Sequence, residues 1–319
     1  MKAIIVREFG SPDVLKIEEA ADLVPGDDEI LVRIKAVGVN PVDTYLRTGN
    51  HAHAPKLPYT PGKDAAGIVE AVGSNVSEFA VGDRVYTAGT STGTYAEYCL
   101  CREDQLGLLP DNASFESGAA IWTPYATAHR ALFQKAKAAA GEKVLIHGAS
   151  GGVGIAAVQW AKHAGATVFG TASSAEGLAL AKKNGADAVF DHSQADHLEQ
   201  IKEASGGGVD VIIEMLANEN LENDFKALAM FGRIVVVGNR GSIEFTPRHA
   251  MGKDATIYGM SLFNAPADAL KDIHGAIFAG LSEGFLRPVI ARSYPLADAP
   301  LAHEEVINSK ARGKIILVP

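Results

Sequence analysis

Two regimes of hydrophobic patterning divide the chain. From Met1 to about Cys101, short apolar or alternating runs follow one another closely: MKAIIVREFG, VLKIEEA, EILVRIKAVGVN, AAGIVEAVG, DRVYTAG and TYAEYCLC. The junctions between them, GSP, VPGDDE, GSN and VGDR, have turn chemistry, so this part is predicted to be a compact barrel or curled sheet. From Glu142 the rhythm changes. VLIHG, ATVFGT, DAVFDH, VDVIIEML, RIVVVG and TIYGMSLF are apolar runs separated by helical stretches such as GLALAKKNG and LENDFKALAMFG. Strand alternating with helix is the layout of a doubly wound parallel sheet.

Between the two regimes, SFESGAAIWTPYATAHRALFQKA reads as a helix pair interrupted at Thr123-Pro124. After Phe263, PADALKDIHGAIFAGLSEG and Leu301 to Asn308 read as helices, and KIILVP as a closing strand predicted to rejoin the N-terminal sheet. The expected fold class is therefore α/β, with a discontinuous β-rich domain over 1–118 and 265–319 and a Rossmann domain over 119–264. Val39 to Asp64 is predicted to be a long loop, with Asn40, Asp43, Tyr45, Arg47 and Tyr59 as its polar and aromatic candidates. His51 and His53 are expected to be solvated, since no third ligand is spaced to join them on a metal.

The most informative stretch is VLIHGASGGVG, Val144 to Gly154, where apolar strand passes into glycine-rich turn and then helix. Without a side chain at Gly151, backbone N–H groups can approach a diphosphate, while Gly154 permits tight packing of helix on strand. Ala149 replaces the first glycine of the G-x-G-x-x-G fingerprint, with Gly148 directly before it. The second strand then ends at Ala172, Ser173 and Ser174 instead of at Asp or Glu, with Glu176 slightly further on. Small hydroxyl residues there leave room for a 2′-phosphate, which favours NADPH over NADH; Lys182, Lys183, Arg240 and Lys310 are the available cations. Ligands of such a sheet meet the C-terminal ends of its strands, which selects Ser173, His192, Asn218 and Asn220, Gly238 to Arg240, and Met260 to Leu262.

Composition narrows the classes. A net charge of −9 disfavours nonspecific attraction to nucleic acid or to an anionic membrane. The N-terminus lacks an apolar stretch of signal-peptide length, and no run approaches a membrane span, so a cytoplasmic protein is expected. Cys99 and Cys101, on one face of a strand, are poorly placed for an unstrained disulfide and fit a reducing compartment.

Taken together, GVNPVDTY, LPYTPGKDAAGIVEAVG, GDRV, HGASGGVGIAAVQ, VIIEMLAN and VVVGNRG resemble the zinc-independent, ζ-crystallin-like quinone reductases of the medium-chain dehydrogenase/reductase superfamily. The resemblance covers nearly the whole chain. It implies a GroES-like catalytic domain, a Rossmann domain, NADPH as hydride donor, a quinone as substrate, and a homodimer or homotetramer. By motif, Tyr45, Ser150, Gly151, Gly152, Val153, Ser173, His192, Asn220, Val237, Gly238, Asn239, Arg240, Met260, Ser261 and Leu262 would line the cofactor. Asn40, Tyr45 and Thr127 would lie near the nicotinamide as catalytic residues. The chain departs from the family pattern at Leu178, Ala179 and Leu180, where members often place Lys. Zinc-using relatives carry Cys at the position of Asn40 and Gly-His-Glu at Gly62-Lys63-Asp64, so no metal site is expected. Two other readings remain: NADPH-dependent reduction of activated C=C bonds in enones, enals or acryloyl thioesters, and a noncatalytic NADPH- or RNA-binding role. The acidic balance and the lack of an aromatic-and-basic strand motif argue against RNA.

Overall fold

A computed structural model describes residues 1–50, 52–308 and 312–319. His51 and Lys310 lie outside the described residues. The chain folds as two units, Met1–Thr123 with Ile277–Pro319, and Pro124–Ala276. Both boundaries fall later than the sequence pattern places them. The helix Phe115–Ala119 packs on strands of the first unit, and Trp122 stacks on Tyr86 there with ring centroids 6.3 Å apart. At the second boundary the long helix Ala267–Glu283 runs straight through, and its Leu281 and Ser282 carbonyls accept hydrogen bonds from Asn112.

Strands β1 (Lys2–Ile5), β2 (Lys16–Glu19), β3 (Ile30–Val39), β4 (Asp64–Val72), β5 (Arg84–Thr87), β6 (Tyr98–Cys101) and β7 (Leu106–Leu108) belong to the first unit. The second unit holds β8 (Lys143–Ile146), β9 (Thr167–Ala172), β10 (Ala188–Asp191), β11 (Val209–Glu214), β12 (Leu228–Val236) and β13 (Thr256–Gly259). Strands β14 (Ile290–Pro295) and β15 (Lys314–Val318) return to the first unit.

Among the described residues, the first unit's main sheet runs β14-β15-β3-β4-β5-β7, with β6 also paired to β3 and β1-β2 as a separate ribbon. The closing strand pairs antiparallel with β3, setting Ile316 opposite Gly38. Glycine is required at 38, since a Cβ there would lie 2.0 Å from the Ala119 carbonyl oxygen of the overlying helix. Ile30, Val32, Val37, Val69, Val85, Ile315 and Leu317 fill the core beneath.

The second unit's sheet runs β10-β9-β8-β11-β12-β13, every pairing parallel. This is the order of a dinucleotide-binding sheet, and its direction reverses between β8 and β11. All six C-terminal ends therefore open on one edge.

Two sequence expectations are corrected. Val39 to Asp64 is not loop throughout: Pro41–Arg47 is helical, because Pro41 suits the first helical turn and the Asp43 carboxylate accepts from the Asn40 N–H at 2.8 Å. LENDFKALAMFG is not one helix. The helix Ala217–Asp224 stops before Phe225 and β12 begins at Leu228, opposite Val209, with Phe231 in the left-handed region at φ 62° where the strand is irregular. Strands β7 and β14 lay outside the pattern read from the sequence.

Candidate functional site

In the second unit the glycine turn connects β8 to the helix Gly152–His163. Gly148, not position 149, meets the conformational demand of the turn: its φ is 59°, a region costly for any residue with a Cβ. That explains how Ala149 can replace the first fingerprint glycine. Gly154 does the packing, since a Cβ on it would lie 2.2 Å from the Gly148 carbonyl oxygen. Gly151 differs from both. A Cβ there would meet protein no closer than 3.4 Å, so the fold leaves the space above it open. Gly151 is also the N-cap and supplies no side-chain acceptor to the first-turn N–H groups. A helix start with uncapped amides and a positive dipole end can accept an anion.

The parallel sheet brings the other candidates of this unit to the same edge. Ser173 follows β9, and the next helix, Ala175–Lys183, starts at Ser174, whose Oγ accepts from the Gly177 N–H at 3.1 Å. A Cβ on Gly177 would lie 3.1 Å from both Ser150 Oγ and Ser174 Oγ, so hydroxyl groups gather at this corner. Lys182 and Lys183 stand in the last turn of that helix, and Lys182 Nζ donates to the Asp187 carbonyl oxygen. Lys182 is thereby engaged at the far end of the helix from the hydroxyl corner.

His192 follows β10; its N–H donates to the Ala172 carbonyl oxygen and its Nδ1 lies 3.4 Å from Thr171 Oγ1. Asn220 Nδ2 donates to Glu214 Oε1 at 3.1 Å. Val237 and Gly238 both donate to the Glu214 carbonyl oxygen, and a Cβ on Gly238 would lie 2.2 Å from the Met215 carbonyl oxygen. Arg240 N–H donates to Asn218 Oδ1 at 2.8 Å, and Asn239 Nδ2 to the Gly241 carbonyl oxygen. Met260 N–H donates to the Val236 carbonyl oxygen, placing Met260 to Leu262 just past β13.

The three candidate catalytic residues are divided between the units. Thr127 is buried at the start of Thr127–His129 in the second. Asn40 and Tyr45 are in the first, where Tyr45 lines a cavity of about 430 Å³ with Arg47, His303 and Ile307. Asn40 is held at both ends of its amide. Its Nδ2 donates to Asp64 Oδ2 at 3.0 Å, and its Oδ1 accepts from Lys314 Nζ. Lys314 Nζ also lies 3.2 Å from Asp64 Oδ2, and Thr123 donates to the same carboxylate through its N–H and Oγ1.

Asp43 adjoins this cluster. Burial pushes its carboxyl up to about 7, with the nearby Asp64 adding to the shift and the Asn40 N–H opposing it. A second chain of contacts runs from Asp43 Oδ2 through Tyr95 OH to His303 and Arg47. Burial and then Arg47 push His303 down to about 3, so it is neutral.

Sequence reasoning missed four buried residues: His147, Thr171 and Glu214 at strand ends, and Asp224 at the end of the helix Ala217–Asp224. The signal was present as a polar residue closing an apolar run, the His of VLIHG, the Thr of ATVFGT and the Glu of VDVIIEML.

The profile of the alcohol dehydrogenase GroES-like domain matches residues 26–111, and that of the zinc-binding dehydrogenase family matches residues 152–275. Over 323 residues the chain is 49% identical to the quinone oxidoreductase of Rattus norvegicus, spanning 100% of this chain and 98% of that one. It is 47% identical to the quinone oxidoreductase of Homo sapiens over 321 residues, again 100% and 98% of the two chains. The chain belongs to the quinone oxidoreductases of the medium-chain dehydrogenase/reductase superfamily. Solved structures similar to it include the quinone oxidoreductase of Escherichia coli complexed with NADPH, with a TM-score of 0.91, 32% identity and 100% of both chains covered. An NAD-dependent alcohol dehydrogenase is similar with a TM-score of 0.93 and 29% identity, also over both whole chains.

The family profile carries zinc in its description, and the residues where zinc-using medium-chain enzymes hold the metal can be tested against that ion. Here they are Asn40, Lys63 and Asp64, with the Lys314 ammonium bonded to two of them. An amide engaged at both ends and an adjacent buried cation do not form a tetrahedral thiolate and imidazole set. This donor set does not fit Zn²⁺. Among the described residues, His147, Glu214 and Asp224 alone bring three metal-ligating atoms within 4.8 Å of one another, and they belong to the other unit.

Proposed function

We propose that this quinone oxidoreductase family member is an NADPH-dependent reductase that passes hydride to quinones without zinc. The observation that carries the reading is the turn Gly148 to Gly154, where an uncapped helix start stands under open space at Gly151. In this reading the amides around Ser150 to Val153 hold the diphosphate. Ser150, Ser173 and Ser174 form the ribose corner, where small hydroxyl residues at the end of β9 leave room for a 2′-phosphate. His192, Asn220, Val237 to Arg240 and Met260 to Leu262 line the remaining strand ends, and the family motif assigns Tyr45 and Thr127 to the nicotinamide. Bound reduced nicotinamide supplies the hydride.

What the protein adds is placement. The Asn40 amide is fixed by Lys314 and Asp64. A quinone needs no strong acid to accept hydride, because its ring spreads the resulting charge, and solvent can supply the proton. Lys314 itself is held by the Asn40 amide and the buried Asp64 carboxylate. We further propose that the protein works as a homo-oligomer in the cytoplasm. The first proposal is supported by the exposed outer strand β13, and the second by two neighbouring strand cysteines suited to a reducing compartment.

The test is NADPH oxidation with 1,4-benzoquinone, 9,10-phenanthrenequinone and an enone assayed side by side. Turnover with the quinones and little with the enone is expected. Faster turnover with the enone would move the assignment to C=C reduction, and oxidation with none of them would remove it.

A further inference from the structure

Beneath the glycine turn lies a buried group of charges that the proposed hydride transfer does not use. His147 directly follows β8, is 4% exposed, and donates its backbone N–H to Ile213 of β11 at 3.1 Å. Its Nε2 lies 3.0 Å from Asp224 Oδ1 and 3.6 Å from Glu214 Oε2, and both carboxylates are fully buried. Glu214 Oε2 and Asp224 Oδ2 have no hydrogen-bond partner. On the other side of the ring, Nδ1 lies 3.3 Å from Thr171 Oγ1. That hydroxyl oxygen accepts from the Gly148 N–H at 3.2 Å and stands 3.4 Å from His192 Nδ1. The groups facing His147 are thus Glu214 from β11, Asp224 from the helix Ala217–Asp224, Thr171 from β9 and, across Thr171, His192 after β10.

Charge and proton counting favour one wiring of this network. A neutral His147 would leave Asp224, and Glu214 whenever it is ionised, in the interior with no positive partner, a heavy desolvation cost. An imidazolium offsets one of them and donates from both ring nitrogens, Nε2–H to Asp224 and Nδ1–H to Thr171 Oγ1. The Thr171 hydroxyl has a single hydrogen. With its oxygen receiving from His147 and Gly148, that hydrogen is left to point at His192 Nδ1. Were His147 neutral with its hydrogen on Nε2, Nδ1 would become an acceptor and claim the Thr171 hydrogen, and His192 would lose it. Glu214 carries the other arm, its Oε1 accepting from the Leu216 N–H and from Asn220.

We propose that His147 is a positioning residue for the cofactor: held as an imidazolium by Asp224 and Glu214, it orients Thr171 so that the glycine turn and His192 are fixed in their binding arrangement. The inference rests on the proposed function, since His192 and the turn matter only if a dinucleotide binds there. The direction of the titration agrees. Burial alone would lower the His147 imidazolium, yet the charge and hydrogen bond of Asp224, with Glu214 behind it, raise it. Burial, with the like charge of Asp224, pushes Glu214 up to about 7.

Two measurements on the full-length protein test this. In ¹H–¹⁵N spectra of histidine-labelled protein at pH 7, the ring assigned to His147 by its loss in His147→Gln should show both nitrogens protonated. A singly protonated ring would overturn the proposal without touching nucleotide binding. In NADPH fluorescence titrations from pH 6 to pH 9, wild-type affinity should fall as His147 loses its proton. Thr171→Val, which keeps the charge cluster and removes the hydroxyl, should bind about tenfold more weakly at the low end and show a flat profile. Thr171→Ser should restore both. The loss should fall on the NADPH KM and not on kcat at saturating cofactor. If Thr171→Val and His147→Gln bind as wild type does, or if the pH dependence survives in His147→Gln, the inference fails while the reductase reading stands. Stoichiometric metal in the wild type that disappears in His147→Gln would also overturn it, making the cluster a metal centre. No binding of NADPH by the wild type would defeat the reductase reading itself.

Discussion

Lys314 Nζ lies 3.2 Å from Asp64 Oδ2, each side chain almost wholly withdrawn from solvent, although the two are 250 positions apart in the chain. The pair ties the closing strand β15 to the start of β4 and fixes the Asn40 amide that joins them. Removing one partner strands a charge in the interior, which costs about 3–5 kcal/mol. Lys314→Met should therefore lower unfolding free energy in urea by that order, and the double variant Lys314→Met with Asp64→Asn should lose clearly less than the single one. A single-variant loss below about 1 kcal/mol, the range of exposed pairs, would contradict the pair's assigned weight.

The glycine turn predicts opposite outcomes for two neighbouring glycines. Gly154→Ala drives a Cβ into the Gly148 carbonyl oxygen, so it should lower thermal stability by several degrees before any ligand is considered. Gly151→Ala meets nothing closer than 3.4 Å and should melt as wild type does, while its NADPH affinity falls. Differential scanning fluorimetry with and without NADPH separates the two; equal melting temperatures for both variants would mean the turn does not pack as described.

Asp43 should make stability depend on pH. Its folded carboxyl titrates near 7, against about 4 in the unfolded chain, so between those values the folded state holds a proton that the unfolded state has released. Its contribution is whole below about pH 4 and fades as the pH rises through 7, amounting to on the order of 4 kcal/mol across the window. Asp43→Asn should lose that slope in urea titrations from pH 5 to pH 8. If the variant and wild type run parallel, Asp43 titrates normally.

The hydroxyl corner predicts how cofactor choice can be reversed. Ser173→Asp places a carboxylate at the end of β9, where it would repel a 2′-phosphate and accept from a free ribose hydroxyl. The ratio of NADPH to NADH affinity should fall roughly 100-fold, in keeping with the several kcal/mol that a like-charge contact costs. An unchanged ratio would place the ribose elsewhere.

Much of this fold was legible in the chain because the parallel sheet announces itself in composition. VLIHG, VDVIIEML and RIVVVG are buried on both faces and so read as continuous apolar runs. Strand β14, ARSYP in its latter part, is largely exposed and gave no such signal. LAMFG misled because its apolar residues fit a helix, whereas Met230 and Phe231 are exposed and only Leu228 reaches the core. At the candidate site, the glycines and serines were visible because backbone geometry dictates residue type. His147, Glu214 and Asp224 were not, since their meeting depends on β8, β11 and a helix end coming together in space, and no spacing along the chain records that.

Equilibrium titration of the purified protein with NADPH and NADH, wild type beside Gly151→Val, tests the central claim most directly. The account predicts saturable wild-type binding, tighter for NADPH, and loss of both nucleotides in a variant that still folds. Wild-type protein that binds neither nucleotide, or a Gly151→Val variant that binds them undiminished, would contradict it.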